Sequence, residues 1–183
     1  SWRRLLARRE SDARRRQAAQ IGLEGRLAEA TFEMSQRTEA VAELLDFRDS
    51  GRLLRGESVV LLGATGVGKS WATACLLNAT TTSRHFWYFP KLCNSFFDSA
   101  LRSGALELAT TVRLAAFDDF GVEYLKEGGM LDGLIDEIIW IRENRRLPTI
   151  ITTNLDAEQL RVRLSPRVLD RLRASAPPGC EGG

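Results

Sequence analysis

Eight consecutive residues carry the clearest chemistry in this chain: Gly63-Ala64-Thr65-Gly66-Val67-Gly68-Lys69-Ser70. They fit G-x-x-x-x-G-K-[ST], a loop that wraps a phosphate chain. Its glycines let the backbone curl so that successive N–H groups point inward at phosphate oxygens. A helix starting near Lys69 adds its positive end. The Lys69 ammonium can reach β- and γ-phosphates, and the Ser70 hydroxyl can ligate magnesium. Trp71 follows at once and closes the binding segment. With Gly at about 7% of average composition, a random chain of this length matches the pattern on the order of 1% of the time.

Two further points suit a hydrolytic site. Asp118-Asp119 ends the apolar run Arg113-Leu114-Ala115-Ala116-Phe117, about fifty residues beyond the loop. One carboxylate there can hold magnesium and the other can orient or deprotonate an attacking water, which assigns Asp118 to the metal and Asp119 to the water. The same pair could simply cap a turn into Gly121, and Glu123 is a weaker alternative base. Asn154 ends the run Pro148-Thr149-Ile150-Ile151-Thr152-Thr153, where an amide can hydrogen-bond both a γ-phosphate and the water. It also reads as a turn residue before a helix. Arg161, Arg163, Arg167, Arg171 and Arg173 follow, and serve either as solvated helix charge or as a finger that stabilises transition-state charge in trans.

These residues need elements to hold them. Ser58 to Leu62 reads as a buried parallel strand, and Trp71 to Ala79, free of Gly and Pro, as a helix. Phe86-Trp87-Tyr88-Phe89 is an aromatic strand stopped by Pro90, expected to supply core rather than base-stacking surface. Lys91 to Leu101 reads as a helix with Leu92, Phe96, Phe97 and Leu101 on one face. A short helix through Leu108 follows Gly104. Gly128-Gly129 opens a helix to about Arg145, with Leu131, Leu134, Ile135, Ile138, Ile139 and Arg142 at the 3.6 period. Thr38 to Phe47, Ala157 to Arg163 and Pro166 to Arg173 read as further helices. Strands alternating with helices imply a parallel sheet covered on both faces.

Composition bounds the rest. The chain has 183 residues, 44% hydrophobic and 27% charged, ordinary for one globular domain. Its apolar runs are too short to span a bilayer and no signal peptide is visible, so a cytoplasmic protein without a membrane partner is expected. Cys75, Cys93 and Cys180 lack metal-ligand spacing and read as incidental thiols, and His85 stands alone. Net charge is only +2, yet Arg3, Arg4, Arg8, Arg9, Arg14, Arg15 and Arg16 crowd the first sixteen residues against Glu10 and Asp12. The helix expected from Trp2 to Ala19 is therefore basic, either a solvated face or a phosphate-binding arm.

The glycine loop, Ala115-Ala116-Phe117-Asp118-Asp119-Phe120-Gly121, Pro148 to Leu155 and Arg167-Val168-Leu169-Asp170-Arg171-Leu172 together resemble the DnaC/DnaI/IstB group of AAA+ ATPases. That group holds replicative-helicase loaders and transposase-helper ATPases. The resemblance implies an α/β P-loop fold with a five-stranded parallel sheet flanked by helices. It divides the chain into a basic helical extension over 1–27, an AAA+ domain over 28–175 and a flexible tail over 176–183. It makes Lys69 and Ser70 the Walker A pair, Asp118 the Walker B metal residue, Asp119 the catalytic acid, Asn154 sensor 1 and Arg167 the trans finger, with Arg171 as fallback. Ala30-Thr31-Phe32-Glu33 resembles a family element near the adenine pocket. The family binds DNA through a helical insertion after the second strand, which marks Lys91 and Arg102 as candidate contacts. A recognisable C-terminal lid is lacking, and Asp119 stands where many AAA+ proteins carry Glu.

The implied function is a slow ATPase, stimulated by assembly or DNA. It would use ATP/ADP and Mg2+, and assemble into a ring or spiral that loads a replicative helicase onto single-stranded DNA. The second reading is a transposase helper gripping duplex DNA through the basic helix. The third is an ATP-dependent scaffold with negligible hydrolysis.

Overall fold

The computed structural model describes residues 2–121, 130–163, 166 and 168–170. Glu123, Arg167, Arg171, Arg173, Cys180 and the 176–183 tail lie outside them.

Four parallel strands, β1 (Val59–Leu61), β2 (Arg84–Tyr88), β3 (Leu114–Asp118) and β4 (Thr149–Thr152), form one sheet in the order β1-β4-β3-β2. β3 and β4 are central and every one of their residues is buried, which is why they read as unbroken apolar or β-branched runs. The register sets Val59, Ile150, Ala116 and Phe86 in one row across the sheet. Successive residues point to opposite faces, so the strands feed two cores. Val59, Leu61, Ile150, Leu114, Ala116 and Phe86 join one; Ala115, Phe117 and Ile151 join the other.

The four strands are those legible from the residues. The fifth implied by family resemblance is absent among the described residues, and no further run of β-branched residues follows Thr153 in the sequence.

On the first face lie α2 (Glu39–Asp49) and α4 (Lys69–Ala79). α2 is capped by Thr38, whose hydroxyl accepts from the Val41 N–H at 3.2 Å. It buries Ala40, Val41, Leu44 and Phe47, the spacing of one helical face. α4 is buried nearly all round because it is held between the sheet and α2. The same core takes in Ala18, from the end of α1 (Trp2–Gln20), and Leu23 beyond it. A 3-10 turn (Gly25–Glu29) and the short helix α3 (Arg52–Arg55) complete this layer.

The other face carries α5 (Phe89–Phe97), α6 (Arg102–Thr111), α7 (Met130–Asn144) and α8 (Ala157–Arg163). Pro90 does not stop β2 one residue later, as expected; Phe89 already belongs to α5, with Pro90 in its first turn, where no amide hydrogen is missed. Leu92 and Phe96 are buried as read, but Phe97 and Leu101 are exposed, because α5 ends at Phe97 and the chain turns before α6. Of the aromatic strand, Phe86 and Phe89 are core, whereas Tyr88 is half exposed. His85 packs its ring against Trp87, with centroids 4.3 Å apart.

Arg142, expected only as part of the α7 period, is 1% exposed. It donates to the Thr149 hydroxyl and to the carbonyls of Ala109, Val112, Arg113 and Pro148, at 2.8–3.3 Å. Burial pushes its guanidinium down to about 9. The four carbonyls favour the charged form and oppose that drop. One side chain thus ties α6, α7 and the starts of β3 and β4 together. Among the described residues no helix is long and apolar enough to cross a membrane.

Candidate nucleotide site

The site forms at the carboxyl ends of β1, β3 and β4, where an open α/β sheet places its ligands. β1 delivers the loop Gly63 to Gly68, and Gly68 caps α4 with φ of 90°. That left-handed conformation is open to glycine at no steric cost. The loop residues Ala64 to Val67 are exposed, whereas Lys69 is 7% exposed.

Lys69 is held inward by three acceptors. Its Nζ donates to the carbonyls of Gly63 (2.6 Å) and Ala64 (2.8 Å) and to Asn154 Oδ1 (3.0 Å). Asn154 in turn donates through Nδ2 to Asp119 Oδ1 at 2.8 Å. A cation at the start of α4, an amide just past β4 and a carboxylate just past β3 therefore form one hydrogen-bonded line. The amide orientation is fixed by its partners, since oxygen must face the ammonium and nitrogen the carboxylate.

Asp118 sits beside this line. Its Oδ1 accepts from the Thr152 hydroxyl at 2.7 Å, and the Ser70 hydroxyl also hydrogen-bonds the carboxylate. Burial raises Asp118 above the usual carboxylate range, and the two hydroxyls oppose that rise. Burial lowers Lys69 below the usual lysine range, while Asp119 and Asp118 push it back up. Thr152 does two tasks, because its oxygen also accepts the Asp119 N–H at 3.1 Å. Asp119 has φ of 61°. That left-handed turn is unusual for a residue other than glycine and belongs where a side chain must be aimed.

Ser70 and Asp118 fit magnesium. They are an oxygen-only pair already in contact. Mg2+ is commonly held by one or two protein ligands with phosphates and waters completing its shell. Among the described residues no cluster of three His, Cys, Asp or Glu side chains offers a dedicated cage.

A cleft of about 890 Å3 opens beside the loop, walled by β1, Gly63, Val67 and Lys69. This is the size of a small-molecule pocket. Its far walls are Thr38 and Glu39 at the start of α2, and Leu160 and Arg161 on α8. Arg161 is one of the arginines read from the sequence as helix charge or a finger, but no local pattern marks Thr38, Glu39, Leu160 or Thr152 as part of a site, because their neighbours in space are distant along the chain. The β-branched pair Thr152-Thr153 just before Asn154 is the one available signal.

Several expected residues lie elsewhere. Trp71 donates its indole N–H to the Ser35 hydroxyl at 2.7 Å, packs on the core, and does not line the cleft. Phe32 lines a second cavity, of about 410 Å3, together with Arg48, Cys75 and Asn78, and does not line the nucleotide cleft. Lys91 is exposed on α5, and Arg102 on α6 spends its Nε on the Phe96 carbonyl. Around them the exposed side chains Tyr88, Phe97 and Leu101 are apolar or aromatic. Neither Lys91 nor Arg102 lines the cleft.

No family model and no curated protein matches the chain. Solved structures do match. A crystal structure of DnaI superposes with a TM-score of 0.69 at 21% identity, covering 81% of this chain and 88% of that one. A DnaC helicase loader gives 0.70 at 21% identity, covering 83% and 96%. The replication initiator DnaA bound to AMPPCP and single-stranded DNA gives 0.64 at 14% identity, covering 79% of this chain and 47% of that one, about half its length. With its glycine loop at the end of β1 and its parallel sheet flanked by helices, the chain shares the α/β fold of these solved structures.

Proposed function

We propose that the chain binds ATP with Mg2+, hydrolyses it slowly, and couples that cycle to loading a replicative helicase onto DNA. The observation that carries the reading is the line Lys69–Asn154–Asp119, with Ser70 and Asp118 alongside. The reading gives each group a part in phosphoryl transfer. The loop amides and Lys69 grip the phosphates. Asn154, linking the ammonium to the acid, would hold the attacking water against the γ-phosphate. Asp119, aimed by its left-handed backbone, orients that water and takes up its proton. Ser70 and Asp118 would hold the magnesium, which when bound neutralises charge on the β- and γ-phosphates. Asp119 is one methylene shorter than Glu and lies further from the water, which favours slow turnover.

Likeness in fold to DnaI, a DnaC helicase loader and DnaA supports the replication half of the reading. We assign Arg167 as the finger offered to a neighbouring subunit, which makes a ring or spiral the active form, and Lys91 remains a candidate DNA contact on α5. The experiment is ATPase rate per subunit against protein concentration, with and without single-stranded DNA. A rate that climbs with both supports an assembling, DNA-engaged motor. A flat, negligible rate with ATP still bound replaces it with a nucleotide-dependent scaffold.

A further inference from the structure

The densest run of positive charge lies on α1, none of whose residues lines the nucleotide cleft. Seven arginines are set against only Glu10 and Asp12 there, although the whole chain carries a net charge of +2. The rest of the molecule is therefore net acidic. α1 is anchored at one end only. Ala18 is 2% exposed, the Arg15 Nε donates to Glu29 at 2.7 Å, and Ser11 bonds the same carboxylate. Just beyond the helix the Phe86 N–H donates to the Ile21 carbonyl at 2.7 Å, and Gly22 lies so close to β2 that a Cβ would fall 2.1 Å from the Phe86 oxygen. The exit of the helix, and with it its direction, is fixed by the sheet.

Arg4, Arg8, Arg9 and Arg16 are all exposed. Among the described residues no acid stands within salt-bridge range of them. At about 100° per residue, Arg9 and Arg16 fall opposite the buried Ala18, with Arg8 on the adjoining flank. From Arg9 to Arg16 this outer face runs roughly 10 Å at the helical rise. Exposed large hydrophobic side chains on α1 are confined to its amino end, at Trp2, Leu5 and Leu6. A protein partner needs an apolar core to its interface, and a membrane-surface helix needs a continuous apolar face. The surface from Arg8 to Gln20 offers neither. What it matches is a lattice of repeated anionic charge.

We infer that the outer face of α1 is a nucleic-acid arm, in which Arg8, Arg9 and Arg16 bind the phosphate backbone independently of base sequence. The inference rests on the DNA-linked half of the proposed function and moves its main charged contact from α5–α6 to α1.

The test uses the full chain, a labelled DNA duplex and the corresponding labelled single strand, with anisotropy read between roughly 50 and 200 mM salt. The triple variant Arg8→Ala, Arg9→Ala, Arg16→Ala keeps helix propensity, since alanine is the best helix former. Removing one arginine–phosphate pair flattens the log–log salt slope by about 0.9 on duplex and about 0.7 on single strands. The slope of the triple variant should therefore fall by roughly 2 to 3 units, whereas Arg→Lys at the same positions should keep it. ATP binding should be unchanged in both variants. Whichever DNA shows the larger fall in slope is the form the arm grips. An unchanged slope in the alanine variant overturns the α1 assignment and leaves the proposed function standing. No nucleic-acid binding by the parent chain at the lower salt overturns both. Tighter binding to phosphatidylserine vesicles than to DNA overturns the arm in favour of a lipid surface.

Discussion

Replacing Asn154 with alanine separates what the Lys69–Asn154–Asp119 line does for binding from what it does for turnover. The substitution deletes two hydrogen bonds, 3.0 Å to the ammonium and 2.8 Å to the carboxylate. Lys69 keeps the Gly63 and Ala64 carbonyls, so its position survives and one donor is freed for phosphate. ATP affinity should stay within about threefold, well under the 1.4 kcal/mol of a tenfold change. Turnover should fall sharply. A hydrogen bond to a charged group contributes about 1.5–3 kcal/mol. Deleting one such bond at the transition state slows kcat by roughly 10- to 100-fold. Asn154→Asp sharpens the contrast. Its carboxylate would pair with Lys69, compete with the phosphates and repel Asp119, so ATP affinity should fall at least about tenfold, or 1.4 kcal/mol. The assay is equilibrium binding of a labelled ATP analogue beside single-turnover phosphate release. An alanine variant with kcat within twofold of the parent, or an aspartate variant that binds ATP normally, would refute the reasoning.

Asp119→Asn should retain nucleotide binding and lose most hydrolysis, seen as ATP that stays intact on the protein in a filter-binding assay. Arg142→Met strands four buried carbonyls and removes the tie between α6, α7 and the sheet. Breaking a buried charged network by removing one partner costs about 3–5 kcal/mol, which at this size lowers Tm by roughly 6–20 °C by calorimetry. ATP binding well below the transition should be unchanged. Burial pushes the Cys93 thiol up to about 12 from 9.0. Because the folded value is the higher one, its contribution to stability is intact below the unfolded value and is lost as pH climbs from 9 towards 12, by at most about 1.4 kcal/mol per unit. Native Cys93 should therefore resist a thiol reagent at pH 8.5 and react only as the chain unfolds, as mass spectrometry of the modified peptide would report.

Much of the site is legible in the sequence because its residues sit at strand ends. A strand end is marked locally, by a β-branched or apolar run followed by a polar residue, and the parallel sheet then brings such ends together. Gly63 to Ser70, Asp118-Asp119 and Asn154 all carry that mark, and all meet in the structure. The four strands follow from the same runs. What stays hidden depends on groups far apart along the chain. Helical period puts Arg142 on the inner face of α7 but does not show the four carbonyls that make its burial tolerable. Phe97 and Leu101 continue the period of α5, yet the helix stops between them and they turn outward. Trp71 adjoins the loop in sequence, while Ser35, with no marking motif, draws its indole away. Thr38 and Arg161 enter the cleft because α2 and α8 flank β1, which neither segment declares by itself.

The central claim is that Lys69 holds the phosphates of ATP in the cleft beside β1. Calorimetric titration of Mg-ATP into the parent chain and into Lys69→Ala tests it most directly. The account predicts one nucleotide per chain. It also predicts that affinity falls at least about 30-fold in the variant, equivalent to roughly 2 kcal/mol for a charge-assisted contact. Equal affinity in the two proteins would contradict it and place the nucleotide elsewhere.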